Sequence, residues 1–243
     1  MNISTAANHK GFSLMELMVA MAVASVLMAG IFTFHQSQVK TNITQQELVD
    51  MQQDARVAMY LMTSEIRMAG CDPQNSTGAT IRTAGAAQIA FDSDQDGDGV
   101  INVNTERFYY ALSNDADNDG VADGTPCNLN RGDWDPPAAP APVTLNPVAL
   151  NIDALNFVYL DGAGNVLDDD GNGNVTTNID AIRTVQISLV ARSGDQLPGG
   201  GMYRQFDSTT YTNPQGTVIL AAPNDNFRRI QLTAAVKVRN MGL

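Results

Sequence analysis

An uncharged apolar run, residues 17–34, constrains the fold of this chain more than any other feature. Its only polar side chains are those of Ser25 and Thr33. As an α-helix rising about 1.5 Å per residue, the run would be about 27 Å long, close to the thickness of the hydrocarbon core of a bilayer. Because such a helix exposes apolar surface on every side, we predict that residues 12–34 lie in a membrane or in the core of a filament.

The same helix is predicted to continue over residues 35–70 with only one apolar face. Apolar residues recur there at steps of three and four, at Leu48, Met51, Ala55, Ala58, Met62 and Ile66, which is typical of an amphipathic helix. Gly70 is suited to a C-terminal cap, since glycine readily adopts the left-handed conformation. Arg67 would then lie in the last turn, where the helix dipole favours a positive charge.

Residues 71–243 are predicted to form a β-rich globular domain. The best strand candidates are residues 88–91, 107–112, 154–160, 184–191 and 229–238. Alternating apolar residues in the last two predict one solvent-exposed face and one face packed on the amphipathic helix. Residues 133–147 and 194–214 are rich in Gly, Asp, Asn and Pro and are predicted to be surface loops. The predicted fold class is α+β, with a long N-terminal helix packed on an antiparallel β-sheet.

Charge and histidine content restrict the function. The chain has 14 basic and 26 acidic residues, a net charge of -12, which disfavours nucleic acid as a partner and favours cations. Its two histidines, His9 and His35, both lie outside the globular part. This excludes Ser-His-Asp, Cys-His and histidine-ligated zinc sites there. Because the dense acidic groups lie in Gly-rich loops rather than apolar pockets, we predict that the chain is not an enzyme.

The residues before the apolar run form a distinctive segment, Lys10-Gly11-Phe12-Ser13-Leu14-Met15-Glu16. An unpaired carboxylate in a membrane span costs several kcal/mol, so Glu16 requires a cation. Cleavage between Gly11 and Phe12 would create one, the new α-amino group, and Glu16 of one subunit would pair with the Phe12 amine of a neighbour. Two alternatives remain, a Glu16 that reaches the lipid headgroups and an ordinary secretory signal cut near Gly30.

This segment resembles the type III signal sequence of prepilins. The resemblance implies that residues 1–11 are a leader removed after Gly11 by a prepilin peptidase, that the Phe12 amine is methylated and that Glu16 acts in filament assembly. Further along, residues 52–56, 64–71, 229–233 and 238–243 resemble the PilW group of minor pilins, with the J-type pseudopilins of type II secretion as near relatives.

Membership of the PilW group would imply a structural role. The subunit would join other minor pilins and the major pilin, prime pilus assembly and stay at or near the filament tip, often with a large tip adhesin. Before assembly it would cross the inner membrane once, with its globular domain in the periplasm, and afterwards it would be part of the extracellular pilus.

Two acidic loops resemble oxygen-liganded Ca²⁺ sites. The first places Asp92, Asp94, Asp96 and Asp98 at alternate positions with Gly97 in the sixth place, and the second does the same with Asp115, Asp117, Asp119 and Gly120, followed by Asp123. An EF-hand is not supported in the first loop, since its twelfth residue is Val103 and Glu106 lies three residues too far along. Ordinary turns also use Asp and Gly, but the crowded charges favour Ca²⁺ binding in at least one loop.

Cys71 and Cys127 are the only cysteines. If the globular part lies outside the cytoplasm, we expect them to form one disulfide, with two free thiols as the alternative. Trp134, flanked by Asp133 and Asp135, is either an exposed contact residue or a local packing anchor.

Overall fold

The computed structural model describes residues 11–102, 105–124, 127–132, 145–194 and 206–241. Trp134 and the leader residues 1–10 lie outside these ranges, so the predictions made for them have no structural counterpart. The chain divides into two units, residues 1–46 and residues 47–243.

A single long helix, α1 (Leu14–Ile66), begins in the first unit and ends in the second. In the first unit its apolar side chains are exposed, and the helix is long and apolar enough to cross a membrane. In the second unit it buries one face, formed by Met51, Ala55, Ala58, Met59, Met62 and Ile66. The predicted change from an all-apolar to a one-sided helix is therefore present.

The helix ends earlier than the sequence predicts. Residues 67–70 form turns rather than a last helical turn, so Arg67 lies beyond the helix. Gly70 has the left-handed conformation expected of a cap residue, with φ of +75°, and its N–H donates to the Asp92 carbonyl oxygen at 2.9 Å. The chain leaves the helix where this contact with a strand replaces the helical hydrogen bond.

Two antiparallel sheets and a hairpin follow the helix. The first sheet contains β1 (Ile81–Ala84), β2 (Ile89–Asp92), β3 (Arg107–Leu112), β4 (Leu129–Gly132) and β5 (Asn146–Ala149) in that order. The second contains β6 (Ile152–Leu160), β7 (Val166–Leu167), β8 (Thr184–Arg192) and β11 (Arg229–Lys237) in the order β11-β8-β6-β7. The hairpin is β9 (Tyr211–Thr212) with β10 (Val218–Leu220).

The predicted α+β fold is confirmed, and all five predicted strands are present with ends shifted by two residues at most. The additional strands have two to four residues each, too few for a clear alternation of side chains. Two of them begin inside predicted loops, β5 within residues 133–147 and β9 within residues 194–214.

The main core lies between the second part of α1 and the two sheets. Phe91 and Phe108 stack there on neighbouring strands, with ring centroids 5.2 Å apart. Glu65 of α1 accepts hydrogen bonds from the Tyr110 hydroxyl and from Arg131 Nε, the latter at 2.9 Å. These two contacts attach the helix to strands β3 and β4.

The second sheet departs from the predicted single exposed face. In β8 the residues from Ile187 to Arg192 are all buried, because the β9–β10 hairpin covers the face that points away from α1. Val190 packs there with Ala154, Ile219 and Leu220 in a separate small cluster. The sequence alternation in β8 predicted the buried face toward the helix, but it did not predict that the hairpin also buries the opposite face.

Candidate functional site

The processing segment is accessible at the N-terminal end of the first unit. Phe12 is 91% exposed, and among the described residues no atom other than those of the chain neighbours lies within 4 Å of the position a Gly11 side chain would occupy. Glu16 is in the first turn of α1. Its carboxylate accepts a hydrogen bond from the Ser13 N–H at 3.1 Å, and the Ser13 hydroxyl accepts one from the Glu16 N–H at 3.2 Å. The bond between Gly11 and Phe12 is therefore open to a peptidase just before a capped helix.

The first acidic loop brings together a different set of carboxylates from the predicted one. One oxygen each from Asp94, Asp96 and Glu106 lies within 4.8 Å of the other two. Asp94 is fully buried and Glu106 is 3% exposed. The N–H groups of Asn102, Gln95 and Asp96 hold the pKa of Glu106 below its usual value against the effect of burial. Glu106 thus reaches the loop despite its distance along the chain.

Asp92 is not part of this group, contrary to prediction. It is fully buried at the end of β2 and forms ion pairs with Arg82 and with Arg107 Nε, the latter at 2.9 Å. Its carboxylate thereby joins neighbouring strands and is already neutralised. The loop therefore begins at Asp94, two residues later than the sequence pattern indicated.

With Asp94 as the first residue, the glycine in the sixth place is Gly99. It has φ of +83°, and its N–H donates to the Asp94 carboxylate at 3.1 Å. Asp98 occupies the fifth place, where its carboxylate accepts from the Val100 N–H at 2.8 Å. Asp98 is therefore engaged with the loop backbone and stands outside the group of three.

The second loop repeats this arrangement. Its first acid, Asp115, accepts from the N–H of Gly120 at 2.9 Å, and Gly120 also has φ of +83°. The Asp119 carboxylate accepts from the Val121 N–H at 2.7 Å. Asp115, Asp117 and Asp123 form the group of three carboxylates, which excludes Asp119. Burial raises the pKa of Asp115, with the Gly120 N–H acting in the opposite direction.

In each loop, the acid that lies farthest along the chain from the first acid has the same role. Glu106 accepts a hydrogen bond from the N–H of Gln95 at 2.7 Å, and Asp123 accepts one from the N–H of Ala116 at 2.6 Å. Gln95 and Ala116 each directly follow the first acid of their loop. The two loops therefore have the same hydrogen-bonding arrangement. This was not visible when the first loop was taken to begin at Asp92.

A third acidic segment, 168–170, satisfies its carboxylates internally. Asp169 accepts from the N–H groups of Thr176 and Thr177 at 2.7 and 2.8 Å, and these bonds hold its pKa below the usual value. Asp170 accepts from the side chain of Asn174 at 2.7 Å. This segment is a hydrogen-bonded turn, in agreement with its irregular sequence.

The expected disulfide is not formed, since both cysteines are free. The Cys71 carbonyl accepts from the Asp94 N–H, near the end of β2 that pairs with the first residue of β3. Cys127 precedes β4, whose Leu129 pairs with Leu112, the last residue of β3. Five steps of about 3.4 Å along β3 separate these places by about 17 Å, whereas a disulfide needs Cα atoms within about 7 Å.

Comparison with known proteins identifies the family. A model of the prokaryotic N-terminal methylation motif matches residues 6–32, which include Gly11, Phe12 and Glu16. The model of prepilin peptidase-dependent protein B matches residues 44–209, more than half of the chain. The chain belongs to the prepilin peptidase-dependent protein B family. The predicted prepilin-type N-terminus is confirmed, while neither match distinguishes the PilW group.

Among solved structures, this prepilin peptidase-dependent protein is similar to a type IV-like pilin from Thermus thermophilus. The two are 14% identical, with a TM-score of 0.45, and the similarity covers 79% of this chain and 97% of that one. No curated protein sequence matches the chain significantly. The family and the N-terminal methylation motif make this a pilin-type subunit, with an apolar N-terminal helix suited to membrane anchoring before assembly.

Proposed function

We propose that this pilin-type protein is a minor pilin of the PilW kind, which primes assembly of a type IV pilus and stays at or near its tip. The observation that carries the proposal is the exposed apolar part of α1 directly after an accessible Gly11-Phe12 bond. Its surface needs a bilayer before assembly and other apolar helices afterwards. The subunit is first held in the inner membrane by one span, with the globular unit in the periplasm, and is later part of the extracellular pilus.

Net charge supports a subunit present in few copies. Loss of Lys10 with the leader leaves thirteen basic against twenty-six acidic residues, so the net charge changes from -12 to about -13. Copies packed side by side along a whole filament would repel one another. A place beside different subunits, including other minor pilins, the major pilin and a large tip adhesin, keeps copies of this chain apart. The role is structural and involves no catalysis.

Deletion of the chain tests the priming role. We expect pili on the cell surface to be lost or sharply reduced, and to be restored by the wild-type chain. Intact pili that no longer adhere would instead indicate a tip-displayed adhesin. Normal pili with loss of secreted enzymes would indicate a J-type pseudopilin of a type II secretion system. Either result would overturn the proposal.

Processing is tested by the intact mass of the chain purified from its native cells. The proposal expects a product that begins at N-methylated Phe12, made by the prepilin peptidase. A product cut near Gly30, or an uncut chain, would contradict it.

We also propose that at least one of the two acidic loops, the first, binds Ca²⁺. Asp94 and Glu106 are buried carboxylates, and no Lys or Arg of the described residues forms an ion pair with them. Buried charges are normally paired or bound to a metal. The hydroxyl of the fully buried Ser93 also lacks a hydrogen-bond partner among the described residues.

Ser93 lies directly beside this carboxylate group. Its N–H donates to the Glu106 carbonyl at 2.8 Å, which extends the β2–β3 ladder by one pair. Because opposed residues of an antiparallel pair project to the same face, the Ser93 hydroxyl is on the Glu106 side. Oxygen ligands of this kind, arranged around a glycine turn, suit Ca²⁺.

Calorimetry on the full chain in detergent tests the metal proposal. Wild type should release or absorb heat on adding Ca²⁺, and Glu106→Gln should weaken the first site by about tenfold or more, since it removes one anionic ligand. Asp161→Asn is the control, because Asp161 serves a turn outside both groups. No heat in wild type, or a Glu106→Gln protein that binds like wild type, would refute the site.

A further inference from the structure

Strand β11 forms an open edge of the second sheet. It pairs with β8 over nine residues without a register shift, and no strand among the described residues pairs with its other side. Thr233, Ala235 and Lys237 are exposed along it. An open strand edge presents backbone donors and acceptors in a row that another strand can use.

The hydrogen bonds at the two ends of β11 show which residues face outward. The Ser193 N–H donates to the Arg228 carbonyl at 2.8 Å, and the Val238 N–H donates to the Arg183 carbonyl at 3.0 Å. Hydrogen-bonded pairs alternate along an antiparallel ladder, so even-numbered residues of β11 face β8. The backbone N–H and C=O groups of Thr233, Ala235 and Lys237 therefore point outward, and none has a hydrogen-bond partner in the described structure.

Other sheet edges of the described residues carry features that discourage pairing. At the far side of the second sheet, β7 has two residues. In the first sheet, β1 and β5 both have register irregularities, and β5 contains Pro147. Short strands, bulges and proline are the usual protections of an edge. The long and regular β11 has none of these three.

We propose that β11 is a docking edge for a β-strand of a different pilin-type subunit. The added strand would extend the sheet and cover Leu232 and Ala234, which pack against the core but are only partly buried. This proposal rests on the role in filament assembly and names the surface that serves it. In such strand addition the backbone hydrogen bonds provide affinity, and the side chains determine which partner binds.

Charge favours a different subunit over a second copy. Antiparallel self-pairing centred on Thr233 would place Lys237 of each copy opposite Arg229 of the other, whose side chain is already paired with Asp153, Asp207 and Asp225, so Lys237 would gain no acidic partner across the strands. Both processed copies would also carry a net charge of about -13. The matching strand is therefore one with an acidic side chain near Lys237 and apolar residues on the side of Leu232.

Photo-crosslinking in piliated native cells tests the proposal. The full chain carries a photoreactive amino acid in place of Thr233, and a second strain carries it in place of Val166, an exposed residue of β7 at the opposite edge. We expect the Thr233 position to give an adduct with a strand peptide from another protein that has a prepilin-type N-terminus. An adduct with a second copy, with an unrelated protein, or equally from Val166 would overturn the proposal.

Proline substitution separates docking from folding. Ala235→Pro removes an outward N–H and leaves the bonds to β8, as edge strands tolerate, whereas Ala235→Val keeps the N–H. We expect Ala235→Pro in the crosslinking strain to lower the adduct by about tenfold, with an unchanged melting temperature, and Ala235→Val to match wild type.

Pilus counts distinguish the two proposals. Suppose that deletion of the chain abolishes pili, while cells with Ala235→Pro have wild-type pili and adducts. That result would refute the docking edge but not the priming role. If Ala235→Pro unfolds the chain, the docking edge is still tested by the adduct from the strain that is altered only at Thr233. Normal pili after deletion would refute the priming role.

Discussion

Ser13 and Glu16 cap the start of α1 reciprocally: each accepts a hydrogen bond from the backbone N–H of the other. This is a capping box, in which two otherwise unsatisfied donors of the first turn are paired. Glu16 therefore has a partner within its own chain before any filament forms. Two contributions of Glu16, helix capping and charge pairing with a neighbour, must be separated by experiment.

Glu16→Gln separates them because glutamine also serves in a capping box but carries no charge. We expect Glu16→Gln to be processed normally and to enter filaments poorly, as measured by the amount of the chain in sheared pili. Ser13→Ala, which removes the cap at a cost of about 1 kcal/mol, should enter filaments nearly as well as wild type. If Ser13→Ala has the larger effect, capping rather than charge pairing is the main role of Glu16.

Gly120 in the second acidic loop should tolerate no side chain. A Cβ there would lie 2.3 Å from the Leu155 carbonyl oxygen, a backbone atom that cannot move aside. Gly164 is a matched control, since its φ of +88° is close to the +83° of Gly120 but its surroundings are open. Gly164→Ala should cost about 1 kcal/mol from backbone strain alone, and Gly120→Ala about 3 kcal/mol or more.

Denaturant unfolding of the full chain in detergent measures the difference. Equal losses for the two variants would show that the loop shifts freely away from β6, contrary to the close approach of Gly120 and Leu155.

The helix and long strands were predictable because their side-chain patterns extend over many residues. An apolar run followed by an amphipathic pattern is typical of a long helix such as α1. Alternation extends over seven residues of β8 and, with one slip, over β11. Short strands such as β7 and β9 lack this repetition. Their positions depend on pairing with distant residues, which local pattern does not report.

The acidic loops show the same limit. Spacing correctly singled out both segments, but Asp92 was assigned as a ligand because it continues the alternation. Its neutralisation by Arg82 and Arg107 depends on strand pairing. Glu106 was excluded because it lies beyond the usual loop length. In the structure the chain entering β3 brings its carboxylate close to that of Asp94. Glycine alone could not decide the register, because Gly97 stands five residues after Asp92 just as Gly99 stands five residues after Asp94.

The turn around Asp170 should open in acid. The side chain of Asn174, followed by the N–H of Asn172, lowers the pKa of Asp170 from 3.8 to about 2. A carboxyl group whose pKa is lower in the folded state stabilises that state above its unfolded pKa, and this contribution is lost as the pH falls through the folded pKa. We therefore expect the turn to weaken between about pH 4 and pH 2.

Hydrogen exchange at the Asn172 and Asn174 amides measures this opening. Asp170→Asn should remove most of the pH dependence in that window. Asp180→Asn is the control, because the described structure shows no hydrogen bond to the Asp180 carboxylate. Protection that is unchanged down to pH 2 in wild type would contradict the prediction.

The two cysteines should behave as independent thiols even in an oxidising compartment. Cys127 is 1% exposed and its sulfur lies 3.8 Å from the Asn114 carbonyl oxygen, whereas Cys71 is partly exposed. Burial, and secondarily the Asp94 carboxylate, raises the pKa of the Cys71 thiol, which slows its reaction. An alkylating reagent should therefore label Cys71 slowly in the folded chain and Cys127 only after unfolding.

The free energy of unfolding provides an independent test of whether the two cysteines are bridged. Loss of a native disulfide typically costs about 2–5 kcal/mol, but the opposite ends of β3 hold these cysteines apart. Cys71→Ser should therefore change the free energy of unfolding by less than about 1 kcal/mol, as is usual for a substitution near the surface. A larger loss, together with a non-reduced chain that takes up no label when unfolded, would show that β3 is displaced and the bridge forms.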